Sequence, residues 1–138
     1  MSAADQLDRL RRLPVFAELD DNVLQRVAAV STELECPPGH VFIRADDPGA
    51  GMFVIEEGTV AVEVPGKKIE LGPGEFFGEL SLLVPESTRV ARVRGTTAVR
   101  CVAISRAAFE ELIEGEPAFT LAMLRVVARR LWRQMHGD

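Results

Sequence analysis

The chain holds only two histidines and two cysteines, and that scarcity removes whole classes of chemistry before any motif is read. A metal site on a β-roll scaffold needs two or three histidines with a carboxylate at tight spacing. His40 and His136 lie at opposite ends of the sequence, so no metal site is expected, and His40, after Pro38-Gly39, reads as a surface turn residue. Cys36 and Cys101 form no metal or redox motif and read as buried thiols in a reducing compartment. No apolar run reaches the ~18–20 residues that span a bilayer, and Met1-Ser2-Ala3-Ala4-Asp5 has neither the basic nor the apolar region of a secretory leader. The expectation is a cytoplasmic protein without a membrane span. Positive charge is also short, with 16 Lys+Arg against 21 Asp+Glu and a net charge of −5. That balance disfavours a broad phosphate-neutralising surface, and no direct nucleic-acid contact is expected. There is no P-loop run, no Ser-His-Asp or Cys-His set, no internal repeat and no low-complexity segment. An enzyme is therefore not expected, nor a resident cofactor.

What remains is a chain of 138 residues, 47% hydrophobic and 27% charged, the proportions of one globular domain over 1–138. It falls into three blocks. Residues 1–30 read as helical, with Leu7, Leu10, Arg11 and Leu13 at helical spacing. A second run follows Pro14, with Val23, Leu24, Val27, Ala28 and Val30 on one side and Asp20 or Asp21 as its N-cap. Residues 31–104 alternate short β-rich pieces (41–43, 52–55, 59–64, 69–71, 90–93, 98–104) with turn signals at Pro38-Gly39, Pro48-Gly49, Glu57-Gly58, Pro65-Gly66 and Gly72-Pro73-Gly74. That rhythm belongs to an antiparallel sandwich, roll or barrel, and 59–64 is apolar enough to be covered on much of both faces. Residues 105–138 are helical again. Ser105 is the N-cap of a helix over 106–113, Gly115 is its stop, and Pro117 opens a longer helix to about Met135. On that last helix Leu124, Val127, Leu131 and Met135 form a stripe suited to burial on the roll or against a second copy. Arg125, Arg129 and Arg133 line another, solvated face, and Trp132 reads as ending the core. The fold class is α+β: mainly an antiparallel, jelly-roll-like β-roll flanked by N-terminal helices and two C-terminal helices.

One stretch, 76–91, interrupts the strand pattern. After Phe76-Phe77, Gly78 opens a run of good helix formers that Pro85 ends, and a helix start there aims free backbone N–H groups at one spot, an anion site. Gly78 lets a ligand approach the backbone closely. Arg89 falls in phase with Ala91 and Val93 on the apolar face of the next strand, where a guanidinium needs a partner and phosphate matches its fork. Glu79 beside such a site suits a neighbouring ligand hydroxyl. A sugar phosphate or nucleotide fits the set; a Glu79–Arg89 ion pair across the loop fits it equally.

The run Phe77-Gly78-Glu79-Leu80-Ser81-Leu82-Leu83, with Arg89 ten residues after Glu79, resembles the phosphate-binding cassette of the cyclic nucleotide-binding domain family. That family includes the catabolite activator protein and the regulatory domains of cyclic nucleotide-gated channels and protein kinase A. Leu13-Pro14-Val15-Phe16 with Leu19, the turn Glu57-Gly58-Thr59-Val60 and the helices after Ser105 resemble the family as well, so the likeness covers nearly all of 10–135. The resemblance implies that Arg89 and the backbone N–H of Ser81 bind the cyclic phosphate, with the N–H of Val90 able to donate beside them. Glu79 accepts from the ribose 2′-hydroxyl, Gly78 and Leu80 line the ribose, Val62 and Phe77 wall the base, and the last helix acts as a lid. Thr88 and Val90 depart from the family pattern, which often has Pro before the arginine and Ala, Ser or Thr after it; position 90 offers no hydroxyl to phosphate or guanine.

The implied function is a non-catalytic cyclic nucleotide sensor, with cAMP ahead of cGMP as ligand. Its output passes through the C-terminal helix to a second copy, as a homodimer, or to a separate effector protein or domain. The alternatives are a ligand-free interaction module of the same fold and the sensor half of a transcription regulator or other larger protein. Almost nothing of the 138 residues is left over for output machinery.

Overall fold

Among the described residues eight short strands, most of them ended by a Gly or Pro turn or by a polar bend, build two four-stranded antiparallel sheets. The computed structural model describes residues 2–45, 51–79, 83–84 and 91–137. The strands are β1 (Ser31–Cys36), β2 (Val41–Ile43), β3 (Gly51–Glu57), β4 (Val60–Val64), β5 (Lys67–Leu71), β6 (Phe76–Phe77), β7 (Arg92–Gly95) and β8 (Val99–Ser105). One sheet runs β1-β8-β3-β6 and the other β2-β7-β4-β5, the crossed order of an open β-roll. Alternation supplies the core: Phe53 and Ile55 from one sheet meet Phe42, Val60 and Val93 from the other, with Phe77, Val99 and Cys101 in the same cluster. The faces turned away from that cluster carry ion pairs, Arg94 with Glu63 at 3.1 Å and Arg100 with Glu35 at 2.8 Å.

The strand expectations over 41–43, 52–55, 59–64, 69–71 and 98–104 match described strands. In the 90–93 piece β7 begins at Arg92, and Val93 is buried while Arg92 is exposed. Two strands carry no pattern the sequence reading recognised. β1 is an edge strand whose one strong inward residue, Leu34, is set among Ser, Thr and Glu, and it follows the preceding helix without a turn residue. β6 is only two residues long. The stretch 59–64 is less covered than expected: Val60 and Ala61 are buried and the rest of β4 is half-buried.

Four helices complete the described residues: α1 (Ala3–Arg11), α2 (Asp21–Val30), α3 (Arg106–Gly115) and α4 (Pro117–Met135). The chain divides into two compact units, Val30–Phe109 and the pair of segments Met1–Ala29 with Glu110–Asp138. Ser2 and Asp5 close a capping box on α1. Asp20 caps α2, its carboxylate accepting from the N–H of Val23 at 2.9 Å. Ser105 caps α3 through the N–H of Ala108, α3 stops at Gly115, and Pro117 sits in the first turn of α4. In the helical unit Phe119 of α4 stacks on Phe16 with ring centroids 6.4 Å apart, and Arg26 pairs with Glu116 at 3.0 Å. The apolar stripe of α4 is not the face it buries. Phe119 and Met123 are buried, whereas Leu124, Leu131 and Met135 are exposed, and Trp132, read as ending the core, is 60% exposed and stacked on His136. Large aromatic Phe119, one four-residue step from Met123, outcompetes the longer stripe for the interior.

Both cysteines are free, Cys101 buried and Cys36 half-buried, on the paired strands β8 and β1. Burial pushes the Cys101 thiol up to about 12, helped by the proximity of Cys36 and Glu56. His40 is exposed, its ring edge-on to Phe42 at 4.7 Å. No described helix is long and apolar enough to cross a membrane, and no cluster of metal-ligating residues occurs among the described residues.

Candidate functional site

The site is built on the end of β3. A turn at Gly72–Glu75 is closed by the Glu75 carboxylate, which accepts from the N–H of Gly72 at 2.7 Å. It is tied to β3 from both sides: Ile55 N–H donates to the Glu75 carbonyl and Gly74 N–H to the Ile55 carbonyl, each at 2.8 Å. These bonds deliver the chain into β6, where Phe77 pairs with Phe53 and Phe76 with Val54. Both β6 side chains are buried. Phe77 stacks on Phe53 at 5.1 Å and meets Phe42 edge-on at 5.3 Å. Phe77 is therefore first a core anchor, fixing where the next residues emerge.

Those next residues are Gly78 and Glu79. Gly78 adopts φ +95°, a left-handed conformation that favours glycine. A Cβ at this position would run into the carbonyl oxygen of Gly51, so glycine is required twice over. The turn swings the chain off the sheet and seats Glu79, whose side chain is 3% exposed and is the one buried polar or charged residue among those described. Burying a carboxylate is expensive, and its retention ties this position to a specific interaction.

On the other sheet Val62 is half-buried. It pairs with Val93 on one side and Ile69 on the other, and Ile69 is 37% exposed. Val62 and Ile69, side by side on neighbouring strands, form an apolar wall that is only partly covered by the described residues. Ile69 was missed in the sequence reading. The lone isoleucine between Lys68 and Glu70 reads as an ordinary strand residue until the register sets it beside Val62.

Of the expected site residues, Val62, Phe77, Gly78 and Glu79 lie in the described part of the β-roll unit. Leu80, Ser81, Arg89 and Val90, together with Thr88, lie outside the described residues. Leu83 and Val84, midway along the cassette, are exposed. The arrangement supplies a left-handed glycine turn, a buried carboxylate and an apolar wall within one unit. Those are the elements for holding a small ligand with both a hydroxyl-bearing and an apolar part.

Comparison with known proteins gives a consistent result. The family profile described as "Cyclic nucleotide-binding domain" matches residues 33–116. The chain is 36% identical over 105 residues to a cyclic nucleotide-gated potassium channel of Mesorhizobium japonicum, covering 76% of this chain and 29% of the channel. A crystal structure of a putative cyclic nucleotide-binding protein from Geobacter metallireducens superimposes with a TM-score of 0.80 at 28% identity, covering 99% of this chain and 100% of that one. The regulatory subunit of a cAMP-independent protein kinase A from Trypanosoma brucei superimposes at 0.74 with 26% identity, over 92% of this chain and 46% of that one. The chain spans less than a third of the length of the curated relatives it matches.

Proposed function

The chain belongs to the cyclic nucleotide-binding domain family, and from that premise we propose that it is a non-catalytic sensor of a cyclic nucleotide, with cAMP as the first ligand to test. The observation that carries the reading is Glu79, buried immediately after the left-handed turn at Gly78, with an arginine ten residues on in the sequence. In this reading Glu79 accepts from the ribose 2′-hydroxyl, and Gly78 and Leu80 line the ribose. Arg89 binds the cyclic phosphate with the backbone N–H groups of Ser81 and Val90. Val62 and Phe77, with Ile69 added, wall the base. An arginine fork suits an anionic phosphate and a carboxylate suits a hydroxyl donor, so a ligand carrying both groups satisfies both residues.

The proposed mechanism is a population shift. The ligand binds one arrangement of the cassette and the last helix more tightly than the other, and the favoured arrangement changes the surface α4 presents. Residues 1–138 act as one sensor domain in a cytoplasmic setting, and output passes to a second copy or to a separate effector protein or domain. A ligand at a hundred times its dissociation constant stabilises the folded state by ~2.7 kcal/mol, so thermal unfolding with cAMP, cGMP and 5′-AMP is the first test. A rise with a cyclic nucleotide that Arg89→Ala abolishes supports the reading; no rise with either cyclic nucleotide overturns it.

Thr88 and Val90 favour a second reading, a domain that keeps the fold without the ligand. Under that reading Arg89→Ala changes no binding, because there is none to lose.

A further inference from the structure

Strand β6 is two residues long and both are phenylalanine, so its own side chains say little about its register. Register in a sheet is set by the apolar pattern and by the turn that feeds the strand. In the observed register Phe77 faces Phe53 and Phe76 faces Val54. A slip of one residue would seat Phe76 where Phe77 now stands, one identical ring for another. It would also carry Glu79 about 3.3 Å along the strand direction, away from the seat in which it is buried. Gly78 against the Gly51 carbonyl holds the strand at its far end. The turn before β6 holds the near end.

That turn is closed by a side chain of its own. The Glu75 carboxylate accepts from the Gly72 N–H at 2.7 Å, and the Glu75 N–H donates back to the Gly72 carbonyl at 3.1 Å. Pro73 has no N–H to place, and the Gly74 N–H donates to the Ile55 carbonyl at 2.8 Å. Every backbone N–H of 72–75 therefore has a partner, and the partner of Gly72 is the Glu75 side chain. A carboxylate accepting from a backbone N–H makes a charge-assisted bond, roughly twice as strong as a neutral one. The carbonyl of the same residue accepts from the Ile55 N–H at 2.8 Å, which docks the closed turn on β3. Glu75 thus joins the shape of the turn to the point where β6 begins to pair, and Glu79 follows in the same short segment.

We propose that Glu75 is a positioning residue of the ligand site: by closing the turn onto β3 it sets the register of β6, and with it the seat of the Glu79 carboxylate. The inference deepens the sensor reading and rests on it for the role of Glu79 toward the ribose 2′-hydroxyl. Glu75 acts through Glu79 and not on the ligand.

The test compares the wild type, Glu75→Ala and Glu75→Gln in calorimetric titrations with cAMP and 2′-deoxy-cAMP, beside amide NMR spectra of the nucleotide-free chain. Gln keeps an oxygen that can accept from the Gly72 N–H. The wild type is expected to prefer cAMP over 2′-deoxy-cAMP by about tenfold or more. Glu75→Ala is expected to lose most of that preference while its affinity for 2′-deoxy-cAMP stays within about twofold of wild type, and Glu75→Gln to regain it. A merely structural role weakens both ligands by the same factor and leaves the preference intact, a result that overturns the proposal. In the spectra Glu75→Ala is expected to move the Gly78 and Glu79 amide resonances, to leave those of β1 in place, and to be reversed by Gln. Gly78 and Glu79 resonances that stay unmoved overturn the proposal whether or not a nucleotide binds. If the wild type binds neither ligand, the sensor reading fails and the spectra decide this one. Should Glu75→Ala not fold, Glu75→Met, which keeps the length of the side chain without its oxygens, replaces it in both measurements.

Discussion

Gly78 has almost no freedom to change, and this makes it a sharp probe of the site's geometry. Its positive φ and the facing carbonyl of Gly51 act together, so Gly78→Ala is expected to destabilise the fold by about 1–3 kcal/mol or more, measured by urea unfolding. Glu79→Gln keeps the shape and removes the charge. We expect it to lower affinity for cAMP by about 1.5–3 kcal/mol and to leave affinity for 2′-deoxy-cAMP nearly unchanged, since that ligand lacks the hydroxyl Glu79 is assigned to accept from. Equal losses for both ligands in calorimetry would remove that role. Cys101 makes a separate prediction. Its thiol ionises near 9 in the unfolded chain and near 12 in the folded protein, because burial disfavours the thiolate. The stability this contributes is full below pH 9 and is lost as pH rises through that window. Unfolding curves at pH 8, 10 and 11 are expected to fall more steeply for the wild type than for Cys101→Ala, and the chain has no tyrosine to titrate over the same range. Parallel slopes would contradict the assignment.

At the scale of elements, Phe77 shows why sequence and structure gave it different weight. A Phe-Gly-Glu run marks it as part of a ligand cassette, yet its ring is wedged between Phe53 and Phe42, so its first task is to hold β6 in place. Phe53→Ala, on the strand opposite, is expected to cost about 3–5 kcal/mol and to weaken any ligand binding with it, because β6 delivers Gly78 and Glu79. Most of the described strands and the four described helices were legible, since apolar alternation, Gly and Pro turns and the caps Asp20 and Ser105 are local signals. β1 was not, because an edge strand with one strong inward residue has no period to read. That Ile69 stands beside Val62 was not legible, because only the register of β4 against β5 brings them side by side. Which face α4 buries was not legible for a related reason. Periodicity identifies apolar faces, but it does not decide between two of them on one helix, and packing against Phe16 chose Phe119 and Met123.

At the scale of the whole molecule, the β-roll unit holds the glycine turn, the buried carboxylate and the apolar wall, and the helical unit holds α4 with its outward apolar line. Net charge also separates by element: an acid-free, arginine-bearing α4 belongs to a chain that is acidic in total.

The central claim is that the chain binds a cyclic nucleotide through Glu79 and Arg89. Calorimetric titration of the wild type and of Arg89→Ala with cAMP, cGMP and 5′-AMP tests it most directly. The account predicts saturable binding of a cyclic nucleotide by the wild type, little binding of 5′-AMP, and an affinity lower by about 2–5 kcal/mol in Arg89→Ala, the cost of removing one partner from a buried charge pair. No heat with any cyclic nucleotide at millimolar concentration, or identical isotherms for the two proteins, would contradict it.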